Sequence, residues 1–175
     1  DSLFEHLYVD TNGLIYSQGT YVEINNSEIR YIDTQFVAYC NNQSNIQLKI
    51  VNSNFYNLNQ GFWFNGSKIA VDNVSFEFVE TYTFYIDNAT DATSYISNCS
   101  AEFVGWFLRV QASALPSFVN LTNIEVNYAY SYGFYLSNVA NLKTITGDNI
   151  IVKNTKYAFD FWQHCKIELS NYQAI

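Results

Sequence analysis

Apolar residues along the chain recur in a six-residue frame, apolar–x–Asn–x–x–apolar, and the frame repeats from one end to the other. Clear copies run from Ile24 to Ile29, Ile50 to Phe55, Val71 to Phe76, Ile96 to Ala101 and Leu121 to Val126. Leu169 to Ala174 carries it with Asn171, Ile145 to Ile150 keeps it with Gly147 in the Asn place, and Phe4 to Val9 has His6 there. The marker positions 6, 26, 52, 73, 98, 123, 147 and 171 lie 20 to 26 residues apart. Ten to twelve residues after each marker comes an alternating apolar pair: Phe36/Ala38, Phe62/Phe64, Phe84/Ile86, Leu108/Val110, Phe134/Leu136 and Phe159/Phe161. Before each marker lies another alternating segment, such as Val22/Ile24, Leu48/Ile50 or Val119/Leu121. Period-2 alternation marks a half-buried strand. Each unit therefore predicts three short strands and three bends. Helical spacing is not sustained anywhere, and Pro116 falls in a bend where it breaks no strand.

A unit this short encloses only a few side chains and cannot bury its inward face alone. Stacking at the ~4.8 Å strand spacing buries a continuous column and pairs each coil with its neighbours. The expectation is an all-β fold: residues 1–175 as one β-solenoid domain of about seven three-strand coils, each of about 24 residues. The three-strand coil with an in-phase turn Asn resembles the right-handed parallel β-helix of the pectin-lyase-like group. That resemblance covers the whole chain, at the level of fold pattern rather than of an enzyme motif. It implies an internal ladder of stacked side chains from Asn26, Asn52, Asn73, Asn98, Asn123 and Asn171. Asn suits that role because it tolerates the left-handed conformation of a sharp bend. Its amide can also donate to one neighbour and accept from the other, at about 0.5–1.5 kcal/mol per satisfied bond.

Composition narrows the class. Hydrophobic residues make up 49% and aromatics 18%, enough for a core and too many for a disordered chain. Charged residues are only 14%, replaced by 22 Asn, 15 Ser and 11 Thr. The net charge is −8, with eight Lys plus Arg scattered singly, which excludes a nucleic-acid footprint. No run of 18 apolar residues offers a membrane span. A start without Met and without a leader segment suggests a processed chain or a fragment. Seven N-x-S/T sequons, at Asn25, Asn42, Asn65, Asn73, Asn88, Asn98 and Asn120, exceed the roughly three that chance would supply. Such density points to an extracellular or cell-surface glycoprotein. Asn73 and Asn98 hold ladder places and are expected to point inward and stay bare. Asn25, Asn42, Asn65, Asn88 and Asn120 are the expected glycan sites.

Candidate chemistry is sparse. Cys40, Cys99 and Cys165 are too far apart along the expected rod to pair with one another, and no Cys/His spacing suggests a metal. His164-Cys165 invites a nucleophile reading, but adjacent strand residues face opposite ways. Four residues after the marker stand Arg30, Tyr56, Glu77, Glu102, Asn127 and Ile151. Stacking places Glu77 directly below Glu102 with Glu125 diagonal, and a carboxyl pair near 5 Å is what a retaining glycosidase uses. The clustered Asp, His and basic motifs of polygalacturonase-like enzymes are not matched: Thr146-Gly147-Asp148-Asn149 has one Asp where theirs has two. Outward on the third strand, Val37, Trp63, Tyr85, Arg109, Tyr135 and Asp160 form a stripe that could contact sugar rings or a protein partner. The leading reading is a structural extracellular glycoprotein, without cofactor, forming a rigid rod, fibre or coat. It resembles repeat-rich secreted surface proteins. The alternatives are a glycoside hydrolase or lyase using Glu77 and Glu102, or a carbohydrate-binding module. The expected partners are N-linked glycans and end-to-end neighbours, either copies of the chain or adjoining coils. An apolar cross-section at each end of a solenoid needs cover.

Overall fold

The computed structural model describes residues 2–5, 13–19, 21–33, 36–41, 46–111, 117–137, 143–161 and 165–175. They form a parallel β-solenoid of about six turns, close to the seven expected, with no helix. Its strands are β1 (Ser2–Glu5), β2 (Ile15–Ser17), β3 (Tyr21–Asn25), β4 (Ser27–Ile32), β5 (Ala38–Asn41) and β6 (Gln47–Leu58). They continue as β7 (Phe62–Gly66), β8 (Lys68–Ala89), β9 (Tyr95–Val110), β10 (Ser117–Leu136), β11 (Lys143–Lys153), β12 (Tyr157–Phe161) and β13 (Cys165–Ala174). One path of parallel pairings runs β1-β4-β6-β8-β9-β10-β11-β13 along the axis, and a second face pairs β2, β5, β7 and β8 in turn.

The long strands turn corners without leaving the ladder, and the left-handed region is how they do it. Asn26, Asn52, Asn73, Asn98, Asn123, Asn149 and Asn171 all have φ between 47° and 56°. Five residues further on, Tyr31, Asn57, Phe78, Phe103, Tyr128 and Asn154 form a second left-handed column, with φ of 51° to 57°. Each such residue reverses the inside–outside alternation, so a flat strand becomes a bent one. The residue two before the first corner points inward (Ile24, Ile50, Val71, Ile96, Leu121), and so does the residue just after it (Ser27, Ser53, Val74, Cys99, Ile124).

The interior is a set of like columns. Phe55 stacks on Phe76 with ring centroids 5.0 Å apart, and Phe62 stacks on Phe84 at 5.8 Å. Phe62, Phe64, Phe84, Ile86, Leu108, Val110, Phe134 and Leu136 are buried as the alternating pairs predict. Two parts of the expected register are corrected. In the second coil Ala38 and Cys40, not Phe36 and Ala38, align with Phe62 and Phe64. Val37 is then fully buried, and Tyr39 takes the outward place beside Trp63. In the sixth coil Gly147 lies opposite the inward Leu121, and Asn149 holds the corner. Every other frame has an apolar residue two before its marker, and Gly147 standing there hides the one around Asn149. His6, Pro116 and His164 lie outside the described residues.

Candidate functional site

The marker asparagines do form a ladder, but on the outside. Asn73 Nδ2 donates to Asn52 Oδ1 at 2.9 Å, Asn123 to Asn98 at 2.8 Å and Asn149 to Asn123 at 2.9 Å. Asn98 and Asn171 instead reach the carboxylates of Asp72 and Asp148, at 2.7 and 2.8 Å. The hydroxyl of Ser170, and then the amide of Asn171, hold Asp148 below the usual carboxylate range. All these asparagines are exposed, which corrects the expectation of an internal ladder. The physical reason is the corner itself: a left-handed residue puts two successive side chains outward before the next turns in. An internal amide ladder exists at another bend. Buried Asn88 donates to Asn65 at 2.5 Å, and Asn65 to Asn41 at 3.4 Å.

This arrangement reassigns the sequons. Asn65 and Asn88, expected in an exposed bend, are buried and bonded to each other. Asn120 is half-buried; its amide donates to the carbonyls of Ala92 and Ser94 at 3.0 and 2.9 Å, and its oxygen accepts from Thr146. Asn73 and Asn98, expected inside, are exposed with their amides engaged in the outer ladder. Asn25 is exposed as expected, on the outward face of β3. Asn42 lies outside the described residues.

The carboxylates stack as the spacing requires. Glu77 pairs in register with Glu102, and Glu125 lies diagonally on the next coil, around a groove of about 310 Å³. Each of the upper two already has a partner: Asn127 donates to Glu102 at 3.0 Å, and Lys153 binds Glu125 at 2.8 Å. Because the sixth coil is shifted, Lys153 rather than the expected Ile151 stands in the Glu102 column. A glycosidase needs one carboxyl held for the leaving group and the other free to attack. Here Glu77 and Glu102 stand in register, with Glu102 accepting an amide hydrogen bond and Glu125 paired with Lys153.

The aromatic stripe is longer than the sequence reading gave it. Tyr16, Tyr39, Trp63, Tyr85, Arg109, Tyr135 and Asp160 occupy one column. Beside it run Tyr82, Trp106, Tyr132 and Tyr157. Tyr39 lies flat on Trp63, with centroids 4.1 Å apart and planes 8° off parallel. Trp63 covers Tyr85 at 6.2 Å and 17°. Arg109 then takes the place of a ring. Its guanidinium carbon is 5.0 Å from the Tyr82 ring and 5.1 Å from each of Tyr85 and Trp106, with a hydrogen bond to the Tyr82 hydroxyl. Burial, and then the Asp87 carboxylate, push the Tyr85 phenol up to about 12. Ring faces in the lower part of the stripe therefore look at one another along the axis, and mainly edges look outward.

Sequence reasoning missed the second left-handed column altogether. Phe78, Phe103 and Tyr128 stack with centroids 5.0 Å apart and planes 6° off parallel, all of them exposed or half-exposed. The readable signal was a fixed offset: five residues after each marker Asn stands either Asn or an aromatic, placed between inward apolar residues. No protein-family model, no curated protein and no solved structure matches the chain.

Proposed function

We propose that the chain is a structural segment of an extracellular glycoprotein, a β-solenoid rod whose role is mechanical and architectural. The observation that carries this reading is the engagement of the outward columns in coil-to-coil contacts. Asn stacks on Asn, ring on ring, and Arg109 plugs the aromatic stripe. Side chains aligned this way bind each coil to the next and stiffen the stack. A sugar-binding strip, by contrast, needs ring faces turned to solvent.

The C-terminal face supports end-to-end assembly. Inward-lining Phe159, Ile167 and Leu169 are only half-buried, and Phe161, Tyr172 and Ile175 are exposed. A surface of apolar side chains and open strand edge is one that a further coil can cover. A head-to-tail contact between copies does not close, and so it generates a filament. The sequon exposed at Asn25 and the low charge content favour a secreted setting.

Light scattering on the purified chain tests this. Reversible association above the 20.2 kDa monomer is expected, abolished by Leu169→Glu on the open face. A monomer that stays dispersed at high concentration while cleaving a polysaccharide would overturn the reading.

A further inference from the structure

The second left-handed column has a missing rung. Register aligns Tyr31, Asn57, Phe78, Phe103 and Tyr128 on successive coils. The upper three are rings stacked 5.0 Å apart, but Asn57 has no ring. Tyr31 and Phe78 are thus two coil steps apart, about 10 Å at strand spacing. One planar group inserted above Asn57 would continue the stack at the step the chain already uses.

The gap is open space. A groove of about 540 Å³ is lined by Tyr31, Asn57 and Phe78 with Asp33, Glu80 and Tyr130. A second, of about 390 Å³, reaches the same three residues from the other flank, between Glu28, Arg30 and Glu77. Tyr31 and Phe78 are 46% and 42% exposed, so the slot is accessible from solvent. Its rims hold four carboxylates against one cation, and that cation, Arg30, is bridged to Glu28 at 3.4 Å. The flat stack of Phe78, Phe103 and Tyr128 that ends at the slot selects a flat group, and the acidic rims select a positive one. A guanidinium is both. The chain seats one of its own in similar company, Arg109 among Tyr82, Tyr85, Trp106 and Tyr135.

We propose that the slot between Tyr31 and Phe78 over Asn57 is a binding site for an arginine side chain presented by a basic polypeptide partner. The guanidinium lies between the rings, and the rim carboxylates of Asp33 and Glu80 meet its N–H edges.

Three short Gly-X-Gly peptides make the test, with X as arginine, lysine or citrulline, titrated into the protein and followed by NMR shifts. Citrulline keeps the plane without the charge, and lysine the charge without the plane. Saturable shifts centred on Tyr31, Asn57 and Phe78 are expected with the arginine peptide, at least tenfold tighter than with the other two. Asn57→Phe, which fills the missing rung, is expected to abolish binding. A double Asp33→Asn, Glu80→Gln variant, which leaves the rings in place, is expected to weaken it several-fold. Equal affinity for citrulline, no saturable arginine binding, or unchanged affinity in the folded double variant would each overturn the proposal.

Discussion

At the scale of single residues, the fold turns on a few positions held in the left-handed region. Asn enters it at low strain, while Phe78, Phe103, Tyr31 and Tyr128 enter at about 1–2 kcal/mol each. For Phe78, Phe103 and Tyr128 the stack on the neighbouring ring offsets that strain. Replacing Asn123 by Ala removes bonds to Asn98 and Asn149 and strains the corner. The change should cost about 2 kcal/mol, a fall of several degrees in Tm by calorimetry. A Gly at the same site should recover part of the loss, because Gly has no left-handed penalty. Burial lifts the Cys40 and Cys99 thiols from an ordinary 9.0 to about 12, and Tyr85 rises in the same way. The folded state keeps these protons where the unfolded chain sheds them. Their contribution is therefore whole below pH 9 and is lost as pH climbs from 9 towards 12. A thermal-melt series should show Tm falling across that window. Neither buried cysteine should react with a disulfide reagent until the chain unfolds.

At the scale of the element, the corners decide which asparagines are inside. The frame around each marker was legible because its apolar flanks repeat. Its inward or outward sense was not, since a bend shows two successive outward residues that strict alternation does not anticipate. The clue stood one residue later, where Val74, Cys99, Ile124 and Ile150 are apolar and buried. The amides that are buried, Asn65 and Asn88, sit at a bend whose loops differ in length between coils, and that variation obscured their alignment. Asn88→Ala would leave the Asn65 oxygen without this donor inside the protein and should cost about 1–3 kcal/mol. Glycopeptide mass spectrometry on native material should find Asn65 and Asn88 bare and a glycan at Asn25; sugar on either buried site would contradict their placement. Gly105 shows the same constraint in backbone form. A Cβ there would lie 2.4 Å from the carbonyl oxygens of Glu80 and Thr81 on the coil below. Gly105→Ala should therefore lower Tm more than an alanine at the exposed Asn123 corner does.

At the scale of the whole molecule, the repeat was the most legible feature and the candidate site the least. A solenoid repeats its core, so periodic Ile, Val and Phe were enough to find the coil. The aromatic slot exists because one rung, Asn57, departs from a column that the sequence reading had not identified. Trp63, Tyr85, Arg109 and Tyr135 were read correctly as one outward stripe. Whether their ring faces point outward or along the axis depends on side-chain torsions that no spacing rule contains. The proposal that this chain is part of a continuous structural stack is open to electron cryomicroscopy of the native, full-length protein. It predicts unbranched rods with an axial repeat near 4.8 Å running through and beyond these coils. Compact, separate particles in which this solenoid ends in solvent, with no coil or copy seated on the face formed by Phe161, Leu169 and Tyr172, would contradict it.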